Sequence, residues 1–113
     1  MPMTAPKSDT SSAVTLFRGL ADPARLAVVQ HLAHHGEHKV SELVDHVGLA
    51  QSTVSGHLAC LRDCGLVRVR PDGRASYYSL ARPELIDLLR AAEQLLAATG
   101  HQVVLCPTYG ATA

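Results

Sequence analysis

Apolar residues recur at helical spacing along most of this chain and switch to alternate positions over one short stretch. After a start rich in Ser, Thr and Pro, the spacing predicts a short helix over 12–20. A clearer helix follows in LADPARLAVVQHLAHHG. There Asp22 suits the N-cap, Pro23 the first helical position and Gly36 the stop, and Leu26, Val29, Leu32 and Ala33 form the apolar stripe. Ser41 is the expected cap of a short helix over 42–47, in which Leu43, Val44 and Val47 are apolar and Gly48 ends the element. A turn through 49–51 leads to a helix over 52–64, with Val54, Leu58 and Leu61 on one face and Gly65 as its stop. Two short helices joined by a tight turn are a helix-turn-helix.

Beyond Gly65 the period falls to two. Val67 and Val69 alternate with Arg68 and Arg70, residues 71–74 read as a turn, and 75–80 return with Tyr77 and Tyr78. A β-hairpin directly after the second helix of a helix-turn-helix is a wing. The last element, over 83–99, keeps Leu85, Leu88, Leu89, Ala92, Leu95 and Leu96 in helical phase up to Gly100. The predicted fold is mainly α with a β-hairpin wing (α+β), a winged helix-turn-helix. The predicted organisation is a disordered tail over 1–11, one DNA-binding and dimerisation domain over 12–100, and a flexible tail over 101–113 that carries Cys106.

Composition adds an argument for assembly. A chain of 113 residues that is 47% hydrophobic, with a single Phe and no Trp, supports one small core. Small domains gain by burying helices against a second copy. The broad stripe on the last helix is therefore the expected homodimer seam, with Leu85, Leu88, Ala92 and Leu95 at its centre and the first helix beside it. Nothing reads as a secretory signal or a membrane span, so the expected location is the cytoplasm.

Net charge is zero, but residues 51–82 carry +3, with arginines at 62, 68, 70, 74 and 82 against Asp63 and Asp72. A cationic middle third is where phosphate would be met. The three cysteines, an odd number in a reducing compartment, point to free thiols rather than a disulfide framework.

The strings LADPARLAVVQHL and SELVDHVGLAQSTVSGHLACLRDCGLVRVRPDGRASYYSL resemble the ArsR/SmtB family of metal-sensing repressors over roughly residues 16–100. The resemblance rests on the ADP-x-R-L start, the Q-S-T-V-S-x-H-L recognition helix, the L-R-x-x-G-L-V exit and the G-R-x-x-x-Y-x-L wing. It implies a winged-helix homodimer that binds an imperfect inverted repeat in double-stranded operator DNA and lets go on binding metal. The arsenic-type C-x-C is absent, because Val40-Ser41-Glu42-Leu43 stands in its place. The zinc/cobalt-type set on the last helix is incomplete, with Asp87-Leu88-Leu89 and a lone His101. L-A-C-L-R-D-C-G with a further cysteine in the tail looks like the cadmium- and lead-sensing (CmtR) branch, and by that likeness Cys60, Cys64 and Cys106 are carried over as ligands.

Cys60 and Cys64 are four apart on a predicted helix, so their sulfurs project about one turn apart from one face. At 100° per residue the core direction of Val54, Leu58 and Leu61 lies roughly 130° from Cys60 and 90° from Cys64. That places the thiols on a flank with Thr53 and His57, against the duller reading of two small buried hydrophobes. A third ligand is needed, and Cys106 is the remaining thiol. Three thiolates without histidine fit Cd(II) or Pb(II) better than a closed Zn(II) site, with As(III) and Zn(II) as further candidates. His31, His34, His35 and His38 have spacings that bind zinc, but without a carboxylate or thiol to finish a site they read as solvated imidazoles at a helix C-terminus.

For DNA, Gln51, Ser52, Thr53, Ser55 and Gly56 crowd the start of the recognition helix, the end that enters the major groove. Glutamine reads an adenine edge, and Ser and Thr bond bases or phosphates. Ser52 is also a candidate N-cap. His57 belongs to the family's recognition-helix pattern, and Arg70 and Arg74 flank the wing turn as phosphate or minor-groove contacts. No phosphate loop, activated nucleophile or carboxylate pair supports an enzyme. The alternatives are a thiol-redox or As(III)-responsive repressor and a metal-buffering protein.

Overall fold

A computed structural model describes residues 10–105. Five helices and three strands follow in the order α1 (Ser11–Leu20), α2 (Pro23–His35), β1 (His38–Lys39), α3 (Val40–Val47), α4 (Gln51–Asp63), β2 (Val67–Asp72), β3 (Ala75–Leu80) and α5 (Glu84–Ala98). The strands form one antiparallel sheet in the order β1-β3-β2. This is the expected winged helix-turn-helix: α3 and α4 are the two short helices, and β2 and β3 are the wing.

Local chemistry explains most boundaries. The Asp22 carboxylate accepts from the amides of Ala24 at 2.8 Å and Arg25 at 3.1 Å, so α2 starts on a true N-cap with Pro23 inside it. Helix α4 ends in a Schellman arrangement, with Leu66 N–H on the Leu61 carbonyl and Gly65 N–H on that of Arg62, both at 2.9 Å. Gly65 supplies the required left-handed φ of 77°.

Three boundaries differ from the sequence expectation. Ser41 does not cap α3. The helix begins at Val40, and the Glu42 carboxylate reaches back to the Lys39 amide at 2.8 Å. Nor does Ser52 cap α4, which starts at Gln51 from an Ala50 N-cap with no side-chain hydrogen bond. The wing turn is tighter than 71–74, because Asp72 pairs with Ala75 and only Gly73 and Arg74 remain between the strands. Gly73 takes φ 63°, the positive value a two-residue hairpin turn needs at its first central position.

The core gathers Val28, Val29 and Leu32 of α2, Leu43 of α3, Val54, Leu58 and Leu61 of α4, Leu66 and Val67, and Leu85 and Leu89 of α5. The stripe on α2 is shifted slightly from expectation: Val28 is buried, while Leu26 and Ala33 are half-buried. Residues 101–105 run back over the domain. Leu105 joins the core, its amide donates to Glu93, and Gln30 Nε2 donates to the Val104 carbonyl at 3.3 Å. Among the described residues no helix is long and apolar enough to cross a membrane.

Candidate DNA-reading surface and thiol pair

The first turns of α4 stand clear of the core. Gln51, Ser52, Thr53, Ser55 and Gly56 are all exposed, while Val54 between them is fully buried and fixes the helix against α2 and α3. The wing arches toward this end. An open cleft of about 290 Å³ is lined by Gln51 and Arg74 together with Lys39, Val40, Ser41 and Ser76. Fold geometry thus unites two residues read separately from the sequence and adds Lys39 and Ser41, neither of which the sequence had marked for DNA contact. The N-terminus of α4 has amides without a side-chain cap, the arrangement that accepts phosphate.

Arg70 is placed differently from Arg74. Its Nε and Nη2 donate to the two Glu37 oxygens at 2.9 and 2.8 Å, Asp72 lies at 3.7 Å, and its guanidinium stacks 4.8 Å from the Tyr77 ring centre. The side-chain hydrogen bond from Arg70 holds the Glu37 carboxyl below its ordinary range. Arg70 therefore ties the wing to the α2–β1 loop.

His57 also turns inward. Its Nδ1 lies 3.2 Å from Arg25 Nη1 and its Nε2 3.9 Å from the Asp22 carboxylate, and its side chain is only 17% exposed. Arg25 in turn donates to the carbonyls of Gly19 at 2.7 Å and Arg18 at 3.2 Å, so His57 joins the recognition helix to the α1–α2 corner.

One turn further along α4, Cys60 and Cys64 are free, half-buried thiols, and Cys64 lies against α1. Cys64 Sγ lies 4.0 Å from the Thr15 carbonyl, and a methyl group on the buried Gly19 would sit 3.5 Å from that sulfur. Burial pushes the Cys64 thiol up, and the adjacent Cys60 thiol adds to it. Beside the pair an open cleft of about 370 Å³ is lined by Ser11, Ser12, Thr15, Leu16, Asp63 and Cys64. The thiols flank the core stripe, as the helical wheel expects, though Cys64 also packs on the edge of the core. Cys106 lies outside the described residues, and among those described no three His, Cys, Asp or Glu side chains stand as a ready metal site.

On α5, Leu85 is consumed by the protomer's own core, at 3% exposure. Leu88 and Ala92 are half-buried, and Leu95 is 67% exposed. Phe17 and Val14 of α1 are also exposed, at 58% and 45%, and a largely apolar cleft is lined by Leu16, Leu66, Leu85 and Leu88.

Comparison with known proteins agrees with this geometry. Residues 22–69 match the family of bacterial regulatory proteins described as the arsR family. A probable mercury resistance operon repressor of Streptomyces lividans is 41% identical over 106 residues, spanning 94% of this chain and 81% of that protein. The HTH-type transcriptional regulator CmtR of Mycobacterium tuberculosis is 40% identical over 88 residues, 78% of this chain and 74% of the relative. Among solved structures, that of Rv0081 from M. tuberculosis superposes with a TM-score of 0.75 at 35% identity, covering 83% of this chain and 94% of that one. The exposed polar start of α4, the wing beside it and these relatives together identify the chain as a member of the ArsR/SmtB family of winged-helix transcriptional repressors, regulators of DNA rather than enzymes.

Proposed function

We propose that this repressor binds its operator as a homodimer and releases it when Cys60, Cys64 and Cys106 capture a soft metal ion, with Cd(II) or Pb(II) as effector. The observation that carries the reading is the placement of two adjacent, disulfide-free thiols on α4, the helix whose opposite end presents Gln51 beside Arg74. Soft thiolates select thiophilic ions, and binding requires that the ion displace the thiol protons. Leu105, the residue immediately before Cys106 in the sequence, packs in the core. Under this proposal Cys106 closes the site either within a protomer or across the dimer.

Gln51, Ser52, Thr53, Ser55 and Gly56 would enter the major groove, with Arg74 on an adjacent phosphate. The apolar face formed by Leu88, Ala92 and Leu95 with Val14 and Phe17 would pair with its copy. Metal need not touch DNA: it has only to favour the dimer shape in which the two recognition helices no longer fit successive grooves. A coupling of about 1–3 kcal/mol would give roughly 5–150-fold release, and operator DNA would weaken metal binding by the same factor.

A second reading keeps the site and changes the ion. The relative named for mercury resistance favours Hg(II), which two thiolates satisfy. Titrating the operator complex with Cd(II), Pb(II), Hg(II), Zn(II) and As(III), while following sulfur-to-metal absorbance, separates these ions. Cys60→Ser or Cys64→Ser should abolish absorbance and release. Cys106→Ser should leave weaker Cd(II) binding but lose most of the release; normal release would make the tail a bystander. Release by peroxide under chelation, with no metal effect, would replace the reading with a thiol-redox switch.

A further inference from the structure

We propose that His31, His35, His38 and His46 form a second cation site, separate from the thiols, for one borderline divalent ion such as Zn(II), Ni(II) or Cu(II). Sequence spacing gathered histidines at the end of α2 but offered nothing to finish a site. The fold supplies the missing donor. His46, in the last turn of α3, lies with its ring centre 4.0 Å from that of His31, while His38 on β1 lies at 4.6 Å and His35 at 4.7 Å. His35 and His38 are 6.1 Å apart. Around an ion held at about 2.0–2.1 Å by imidazole nitrogens, tetrahedral ring centres stand about 5 Å apart, so these spacings bracket a coordination shell.

As they stand the rings pack on one another, His38 edge-on to His31 and His35, rather than converging as ligands. His31 and His46 are tilted by only 30° and present faces to each other, and no three donors among the described residues are already converged. The change needed is a rotation about the Cβ–Cγ bond, the broad torsion of an imidazole. Room for it exists in an open cleft of about 240 Å³ lined by Ala27, Gln30, His31, His34, His35 and His46.

A second observation concerns proton placement. His38 Nδ1 sits 3.0 Å from the Gly36 carbonyl, and only an N–H bonds a carbonyl. In the neutral ring Nδ1 then carries the proton and Nε2 keeps its lone pair, the orientation found behind metal-bound histidines. Lys39 does not compete for the space, since its Nζ is directed at the Tyr77 ring, 6.0 Å from its centre. Imidazole donors suit Zn(II), Ni(II) and Cu(II), whereas the thiols prefer softer ions, so the two sites divide metals by chemistry. An ion held here would tie α2 and β1 to α3, the first helix of the DNA-binding pair.

The test uses the full chain with Cys60→Ser, Cys64→Ser and Cys106→Ser, which removes every thiol, titrated with Zn(II) by calorimetry and with Ni(II) by absorbance at neutral pH. The expected result is one ion per protomer and a raised melting temperature, because an ion that binds only the folded chain stabilises it. His31→Gln and His46→Gln should each weaken binding by at least about tenfold, and His101→Gln should not. Unchanged affinity in His46→Gln would mean that His34, His35 and His38 hold an adventitious ion only, which overturns the proposal, as would a parent chain that takes up no ion. Should the Gln variants fail to fold, proton NMR of the thiol-free chain with every histidine intact decides. Zn(II) should shift the ring resonances of His31, His38 and His46 together, and an unmoved His46 refutes the site.

Discussion

Arg25 of α2 reaches His57 of the recognition helix, Nη1 to Nδ1 at 3.2 Å, while its Nε donates to the Gly19 carbonyl at 2.7 Å. One guanidinium thereby joins α1, α2 and α4. Arg25→Ala should lower unfolding stability by about 1–3 kcal/mol, since it removes bonds to a charged donor and leaves half-buried acceptors. An unchanged urea midpoint would show that the junction is held by packing alone.

Arg74 and Arg70 should separate in a salt titration of operator binding. Arg74, beside Gln51 in the cleft, is free to meet phosphate, so Arg74→Ala should reduce the log–log salt slope by about one. Arg70 is already engaged by Glu37, so Arg70→Ala should act mainly by loosening the wing, with a smaller change of slope. Equal slopes for both variants would remove the distinction.

Acid should test the Glu37–Arg70 pair. The folded Glu37 carboxyl is held below its ordinary value of 4.5, chiefly by the hydrogen bond from Arg70. Its contribution to stability is therefore present above that value and is lost as pH falls through the lower folded one. Glu37→Gln should flatten the acid limb of a stability–pH curve and change little at neutral pH, where an exposed pair contributes modestly. An identical acid limb in the variant would show that the pair does not couple to folding.

Two leucines on α5 should fail in different ways. Leu95 is 67% exposed, so Leu95→Glu should leave a folded chain that sediments as a monomer and binds two-half-site DNA weakly. Leu85 is core, at 3% exposure, and Leu85→Glu should unfold the protomer by burying an unpaired charge. A dimeric Leu95→Glu chain would move the seam away from this face.

The thiol flank predicts a stability–function conflict at Gly19. An added methyl would make ordinary contact with Cys64 Sγ at 3.5 Å, and helical Ala is about 0.5–1 kcal/mol better than Gly. Gly19→Ala should therefore raise thermal stability while weakening Cd(II) affinity, because the sulfur loses freedom to reorient. Unaltered metal affinity would place the coordination space on the other side of the thiol pair.

How much of this was legible in the sequence depends on distance along the chain. The caps at Asp22 and Gly65, the fully buried Val54, Leu58 and Leu61, and the Val67–Asp72 and Ala75–Leu80 hairpin follow from local periodicity and turn chemistry. Strand β1 does not, because two residues become a strand only by pairing with Tyr77 and Tyr78 nearly forty positions away. Arg70 read as a free cation because Glu37, its partner, lies 33 residues earlier. His46 carried no signal in the sequence, and only the packing of α3 on α2 sets its ring against His31. Leu85 and Leu95 share one stripe on paper, yet the angle at which α5 meets the core puts one inside and leaves the other outside.

Cys64 is the last residue before the glycine that ends α4, and two positions later Leu66 accepts the Ala81 amide at 2.9 Å and opens the wing. The thiol therefore sits on the hinge pin shared by two blades, the helix on one side and the hairpin on the other. Under the proposed reading, a pull on that sulfur would be passed to both blades at once, because the Leu66–Ala81 bond ties the start of the hairpin to the end of the helix.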